Sequence, residues 1–79
     1  MRLERVRKCL EEKGMEYTYS ENDDCGAVEF EFRGLRYHIW EYPEPERGAA
    51  SNVATAGRMI DYEGDYESQI VDVLSRWNV

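Results

Sequence analysis

The stretch VEFEFRGLRYHIWEY, Val28 to Tyr42, decides the fold, because apolar and polar residues alternate on both sides of Arg33-Gly34. If Arg33-Gly34 is a two-residue hairpin loop, six apolar residues share one side of the sheet in opposite pairs. A three-residue loop would shift the pairing by one position and place Glu31 on that side. The alternation therefore predicts the two-residue register, although a primed turn prefers Asn or Gly where Arg33 stands. The predicted pairs are Val28 with Ile39, Phe30 with Tyr37 and Phe32 with Leu35.

On the reverse side, the same register places polar residues and two large aromatic residues. It pairs Glu31 with Arg36, Glu29 with His38 and Ala27 with Trp40. The first two pairs place side chains of opposite charge across the ladder, which is typical of a sheet face exposed to solvent. Trp40 and Tyr42 leave apolar area uncovered on that face, and we expect a partner, or the chain from residue 43 to 60 folding back, to cover it.

The segments that flank the hairpin read as helix and strand. A stripe at i, i+3 and i+7 predicts a helix from Arg2 to Lys13, ended by Gly14 in a left-handed cap. The period changes to two from Met15, which predicts a strand, and the cluster Glu21–Gly26 predicts a loop. A second apolar stripe predicts a C-terminal helix with Asp65 as its N-cap. The stripes are Leu3, Val6 and Leu10 in the first helix, and Tyr66, Ile70, Val73, Leu74 and Trp77 in the second.

Residues 43 to 64 carry the weakest pattern. Pro43 and Pro45 end the third strand, because proline cannot donate to the ladder. A connection of this length without secondary structure is unusual in a compact domain. We therefore expect an edge strand at Gly48–Val53, with a helical turn between Ser51 and Gly57 as the alternative.

These elements predict one α+β domain over residues 1–79. Its architecture is a two-layer sandwich in the order helix, antiparallel meander of three or four strands, helix, with both helices on the apolar sheet face. The chain has 79 residues, which allows a single small core.

Charge narrows the class of partner. The net charge is −7, and residues 14–79 hold fourteen acidic and five basic side chains. Nucleic acid and anionic membranes need clustered Lys and Arg, so neither is expected as a partner. The N-terminal residues contain no uncharged run typical of a signal peptide, and a cytoplasmic location is the default expectation. Cys9 and Cys25 are then expected to be free thiols.

No sequence motif for a cofactor, a metal or catalysis is present. The glycines form no phosphate-binding loop, and Cys9, Cys25 and His38 cannot supply a zinc site at a known spacing. The one available combination of nucleophile and base is Cys25 with His38, oriented by Glu29, without an oxyanion hole. We therefore expect no catalytic, cofactor-binding or metal-binding residues.

The stretches YHIWEY and SNVATAGRMIDYEGDYE resemble a group of uncharacterised small bacterial proteins, some of which carry an automatic kinase label. Neither stretch contains a phosphate-binding motif, so the chain does not support that label. The helix, sheet, helix order is also similar to bacterial secretion-chaperone-like domains, and this likeness implies dimerisation and binding of other proteins. The residues that carry the first resemblance are His38, Trp40, Glu41, Ser51, Asn52, Ala56, Gly57, Arg58, Gly64, Asp65 and Tyr66.

Together, these patterns favour a non-enzymatic protein-interaction domain that binds a protein partner or a second copy of itself as a homodimer. The expected partner-binding residues are Arg36, His38, Trp40, Tyr42 and Arg58. The alternative is a small ligand-binding protein or enzyme with a site near His38, Arg58 and Asn52, where Arg58 could clamp an anion or pair with Asp61.

Overall fold

The computed structural model describes residues 2–53 and 56–77 and has two helices and a five-stranded antiparallel sheet, which confirms the α+β class. The strands lie in the sheet in the order in which they occur in the chain, so each pairs with the next along the sequence. The elements are α1 (Glu4–Glu12), β1 (Thr18–Asn22), β2 (Cys25–Phe32), β3 (Leu35–Glu41), β4 (Arg47–Ser51), β5 (Met59–Glu63) and α2 (Tyr66–Ser75).

The register predicted for β2 and β3 is confirmed at all six pairs, from Ala27 opposite Trp40 to Phe32 opposite Leu35. Arg33 and Gly34 have φ angles of 54° and 80°, so both take the left-handed conformation that a primed two-residue turn requires. The side chain of Arg33 lies over the Phe32 ring at 5.0 Å, a contact that offsets part of the conformational cost at this position.

The apolar sheet face packs against both helices and forms the core. Phe30 stacks on Tyr37 with their centroids 5.1 Å apart, and Trp77 packs on Phe32 and Tyr37 with centroid distances of 5.4 and 4.8 Å. Burial of such rings and aliphatic side chains is the main source of stability in a domain of this size. The buried core residues are Leu3, Val6, Leu10, Val28, Phe30, Tyr37, Ile39, Ala50, Val53, Ile70 and Leu74.

The helix ends agree with the expected caps, and the bounds of α1 are shorter than expected. Leu3 has a φ angle of 53°, so α1 begins at Glu4 and not at Arg2. Lys13 is the C-cap, and Gly14, with a φ angle of 71°, takes the predicted left-handed conformation. At α2, the side chain of Asp65 accepts a hydrogen bond from the backbone N–H of Ser68, which confirms its role as N-cap.

The expected loop at Glu21–Gly26 is a two-residue turn. Only Asp23 and Asp24 lie outside the strands, with φ angles of 51° and 62°, because short polar side chains tolerate the left-handed conformation of a primed turn. β1 begins at Thr18 and not at Met15, whose backbone N–H donates to Leu10 O and so completes the end of α1.

The chain between Pro43 and Gly64 holds two strands, so the expected count of three or four strands is wrong. The strand expected at Gly48–Val53 is present as β4, but it lies inside the sheet because β5 pairs along its other edge. Ser51 belongs to β4, which argues against the helical-turn alternative, although residues 54–55 of that proposed turn lie outside the described residues. β5 directs Ile60 and Tyr62 toward the core side, and its two inward apolar positions are too few to give a clear alternation in the sequence.

Candidate functional site

The sheet face opposite the helices is the candidate site, and it is called the open face below. Directly opposed residues of antiparallel strands point to the same side, so the confirmed registers fix its composition. Its central residues come from β2, β3, β4 and β5, together with Tyr42, whose backbone N–H donates to Arg47 O just beyond β3. They are Ala27, Glu29, Glu31, Arg36, His38, Trp40, Tyr42, Arg47, Ala49, Ser51, Met59, Asp61 and Glu63.

Three rings form a continuous row along β3, called the aromatic row: His38, Trp40 and Tyr42. The period of two of a strand places alternate side chains on one face, and this brings the rings into contact. The ring centroids of His38 and Trp40 are 4.6 Å apart, and those of Trp40 and Tyr42 are 6.3 Å apart in an edge-on arrangement. All three side chains are half-buried, so the row keeps area that a partner could cover.

Trp40 lies between two small residues, Ala27 on β2 and Ala49 on β4. Ala49 is fully buried although it lies on the open face and outside the core cluster, so side chains of this face must cover it. The indole of Trp40 is directly across from Ala49 and is large enough to do so. β4 therefore forms a floor beside Trp40 and still leaves the ring half-buried.

Charged side chains border the aromatic row on both sides. His38 Nε2 is 3.9 Å from Glu29 Oε1, and these side chains keep 40% and 50% of their area exposed. At the other end, Tyr42 donates its hydroxyl to Asp61 Oδ1 at 2.7 Å, and this bond raises the pKa of Tyr42. The guanidinium of Arg47 lies over the Tyr42 ring at 5.6 Å and is 3.9 Å from Glu63. The row is thus an aromatic strip with carboxylates at each border.

The five predicted partner-binding residues do not form one group. Arg36, His38, Trp40 and Tyr42 lie on the open face along β3, as their spacing predicted, and Arg36 is exposed. Arg58 is exposed in the connection between β4 and β5, outside the aromatic row. Among the described residues, it forms no ion pair, including with Asp61.

The amide of Asn52 stabilises a turn. Its Nδ2 donates to Arg36 O at 2.7 Å, and its Oδ1 accepts from the backbone N–H of Gly57 at 2.6 Å. Both ends of the amide are therefore occupied by backbone groups of the chain itself. This arrangement favours a structural role over ligand binding near His38 and Arg58.

Cys25 and His38 are too far apart for the nucleophile and base that the sequence offers. Both lie on strands of the open face, but Cys25 is four residues from Glu29, the residue opposite His38. At about 3.3 Å per residue, this separation is roughly 13 Å along β2. A working pair needs contact at hydrogen-bond distance, so the two residues do not form a catalytic unit in this arrangement.

A buried polar cluster, which the sequence analysis did not single out, lies at the other face of the same strand. Glu41 ends β3 with its side chain only 4% exposed. Its Oε1 accepts from Arg2 Nε at 2.6 Å and from the backbone N–H of Gly26 at 2.7 Å, and its Oε2 accepts from the hydroxyl of Tyr66. We call Arg2, Gly26, Glu41 and Tyr66 the Glu41 cluster; it joins the start of both helices to the sheet.

The ionisation of the Glu41 cluster follows from its contacts. Burial raises the pKa of Glu41, but the hydrogen bonds from Tyr66, Gly26 and Arg2 outweigh burial and hold it below its ordinary value. Burial and the bond to Glu41 raise the pKa of Tyr66 to about 12. Both oxygens of the carboxylate accept hydrogen bonds from the chain itself, which favours a role of this cluster in stabilising the fold.

We expect Tyr66 to ionise near pH 12 and not near its ordinary value of about 10. The folded state then keeps the proton that the unfolded state loses. The contribution of Tyr66 to stability is therefore complete below about pH 10 and is lost as the pH rises toward 12. A tyrosine titration by NMR, compared with the Tyr66→Phe variant, measures this pKa; a Tyr66 resonance that moved together with the exposed tyrosines would contradict it.

Neither helix in residues 2–53 and 56–77 has the length and apolar composition needed to cross a membrane. Within the same residues, no group of three or more His, Cys, Asp and Glu side chains is arranged to hold a metal ion. Comparison of the chain with protein-family models, curated proteins and solved structures finds no match. The geometry of the open face therefore carries the functional proposal.

Proposed function

We propose that this chain is a non-enzymatic, cytoplasmic protein-interaction domain that binds its partner through the open face. The observation that carries the proposal is the aromatic row, in which three half-buried rings lie side by side on a sheet face that neither helix covers. Aromatic side chains and Arg are enriched where proteins bind each other, and aromatic rings bury large areas at a small cost in conformational entropy. The row offers this type of surface at the centre of the face.

The surroundings of the row support a binding surface. Its floor is rigid, since Trp40 packs between Ala27 and Ala49 on two paired strands. Met59, the one large apolar side chain among the described residues that is mostly exposed, lies on the same face opposite Ser51. A preformed surface on strands binds with a smaller ordering cost than a loop does.

We expect cross-linking of the chain in cells to depend on the face that carries the probe. A photoreactive phenylalanine derivative placed at Ser51, opposite His38 on the open face, should form adducts with a protein. The same derivative at Lys8, exposed on α1, serves as the control. Adducts from Ser51 should be lost when Trp40 is changed to serine, because this change removes the central ring of the aromatic row.

The result is read by electrophoresis and by mass spectrometry of the adducts. Equal yields from Ser51 and Lys8, or yields from Ser51 that Trp40→Ser leaves unchanged, would contradict the proposed function. The free energy of unfolding of Trp40→Ser, measured in parallel, shows whether the variant is folded. The adduct is either a second copy of this chain or a different protein, and the charges of the open face favour one of these.

A further inference from the structure

Resting on the proposed function, we infer that the partner is an extended basic segment of another protein, which places a lysine or arginine side chain on Trp40 between the carboxylates of Glu29 and Asp61. The charges of the open face provide the first reason. The open face carries four carboxylates and two guanidiniums, so its net charge is −2 when histidine is counted as neutral. The carboxylates are Glu29, Glu31, Asp61 and Glu63, and the guanidiniums are Arg36 and Arg47.

The rest of the chain adds to the negative charge of the open face, because the net charge of the whole chain is −7. Two copies that met through their open faces would bring together surfaces of the same sign, and like charges across an interface oppose association. A basic partner gains attraction where a second copy meets repulsion. Charge complementarity therefore favours a different protein over the homodimer.

The aromatic row explains how a cation is recognised. A Lys or Arg side chain is attracted to the face of an aromatic ring, and tryptophan is the strongest of these rings. Arg47 already lies over the ring of Tyr42 at 5.6 Å, which shows that the row accepts this type of contact from within the chain. The rings of His38 and Trp40 have no such cation above them among the contacts of the described residues.

The spacing of the carboxylates suggests how the segment lies. Glu29 is on β2 and Asp61 on β5, three strand spacings apart, and Glu29 is offset by two residues along the strands from the row that contains Trp40 and Asp61. At about 4.8 Å per strand and 3.3 Å per residue, the separation is roughly 16 Å. An extended chain covers about 13 Å in four residues, and its alternate side chains point the same way. A segment that crosses the strands obliquely, with a basic residue at every second position, could reach Glu29, Trp40 and Asp61 with three long basic side chains.

A second feature favours the same partner next to the row. β1 begins at Thr18, opposite Glu29, so the part of β2 that follows Glu29 has no neighbouring strand on that side. A shallow hollow lies there, beside Glu29. Its polar lining has more carboxylates than guanidiniums, with Glu16, Glu29 and Glu31 against Arg36. The negative surface therefore continues past the edge of β2, and a further basic residue of the segment could bind in the hollow.

The probe is a short peptide with acetylated and amidated ends, in which lysine alternates with serine. It is added at low salt to the intact protein labelled for NMR. We expect the indole N–H of Trp40 and the amides of β2, β3 and β5 on the open face to shift. A peptide with the same lysines and serines arranged as two blocks has the same charge and is the matched control. With three lysines in each peptide, the control should bind several-fold more weakly, because a block of three lysines places only two of them on one side of an extended chain, whereas the alternating peptide places all three toward Glu29, Trp40 and Asp61. Binding should weaken as salt rises, since screening acts over about 10 Å at 0.1 M.

Variants of the protein separate the contribution of the carboxylates from that of the cation–π contact with Trp40. Glu29→Gln with Asp61→Asn should weaken binding about tenfold, as expected for two exposed charge pairs. Trp40→Leu should weaken it about fivefold through the loss of the cation–π contact. The control Glu4→Gln with Glu12→Gln removes the same charge from exposed positions of α1, on the opposite side of the sheet, and should change the affinity less than about twofold.

Four results would overturn the inference. They are failure of the alternating peptide to bind, equal binding of both peptides, shifts spread over α1 as much as over the open face, and a dimer that forms through Trp40 in sedimentation experiments. The last result would leave the proposed function intact, because the adduct from Ser51 would then be a second copy. Failure of the peptide to bind, together with adducts from Ser51 that depend on Trp40, would likewise reject only the basic partner.

Discussion

Replacement of Glu41 by leucine is expected to lower the free energy of unfolding by about 3 kcal/mol or more. Leucine is close in size to glutamate but accepts no hydrogen bond. It leaves the buried backbone N–H of Gly26 and the partly buried hydroxyl of Tyr66 without their acceptor, and a buried donor without an acceptor costs about 1–3 kcal/mol. A domain of this size has a total stability of roughly 4–12 kcal/mol, so the loss is a large share of it.

Chemical denaturation of Glu41→Leu, with Glu12→Leu as the control, measures this effect. Glu12 lies on the exposed side of α1, and its replacement should change stability by less than about 0.5 kcal/mol. Equal losses in both variants would show that the carboxylate of Glu41 contributes no more than a surface charge.

Glu41→Gln should be milder, because its amide can still accept from Gly26 while Tyr66 turns its hydroxyl to accept from the amide nitrogen. The glutamine variant also isolates the charge. Since the pKa of Glu41 is lowered in the folded state, its charge contributes stability above the ordinary pKa of about 4.5 that is lost as the pH falls below it. Stability measured between pH 7 and pH 3 should therefore fall more steeply in the natural protein than in Glu41→Gln. Equal slopes would assign the acid sensitivity to other carboxylates.

Replacement of Gly48 by alanine is expected to cost about 1–3 kcal/mol through steric overlap. A Cβ atom at this position of β4 would lie 2.7 Å from Tyr66 Cδ2 and 3.0 Å from Tyr66 Cγ. The ring cannot move away freely, since its hydroxyl is bound to Glu41. Gly48 is therefore required for the close packing of α2 on the sheet, and the Glu41 cluster depends on it.

Two comparisons test this explanation by chemical denaturation. At Gly26, the nearest atoms to a new Cβ are Arg2 Cβ at 3.1 Å and Tyr19 OH at 3.2 Å, so Gly26→Ala should cost less than Gly48→Ala. A Tyr66→Ala background removes the two shortest contacts, although Trp40 O remains 3.2 Å from the new Cβ, so the cost of Gly48→Ala should fall by at least half. An unchanged cost in that background would show that the effect arises from the strand and not from the ring.

The hairpin of β2 and β3 could be predicted from the sequence because six apolar residues fixed its register, and a three-residue loop would have placed Glu31 on the apolar side. This register also predicted the aromatic row, since His38, Trp40 and Tyr42 lie at alternate positions. β5 was missed because only Ile60 and Tyr62 face inward, which is too few for a clear alternation. Asp65 caps α2 as predicted, whereas Asp61 and Glu63 belong to β5.

The Glu41 cluster was missed, although the sequence contained one sign of it. The alternation that places Tyr37 and Ile39 in the core also places Glu41 on that side, and a carboxylate there needs donors. Its partners, Arg2 and Tyr66, are 39 and 25 residues away in the chain. Local patterns do not reveal which distant side chains will meet. The positions of Ala49 beside Trp40 and of Asp61 beside Tyr42 could not be predicted either, because they depend on the pairing of β4 and β5, which only the structure shows.

The helices come from opposite ends of the described chain, and they join through Arg5, whose Nη2 is 2.6 Å from Asp65 Oδ1. During translation, each hairpin of the meander can form as soon as its second strand leaves the ribosome, since every strand pairs with its predecessor. The apolar stripe of α1 emerges first, yet Ile70 and Leu74, which complete the core around it, emerge last. The side chains of Leu3, Val6 and Leu10 therefore reach their full burial only after α2 has followed the sheet out of the ribosome, so the core of this domain closes in a late step of its synthesis.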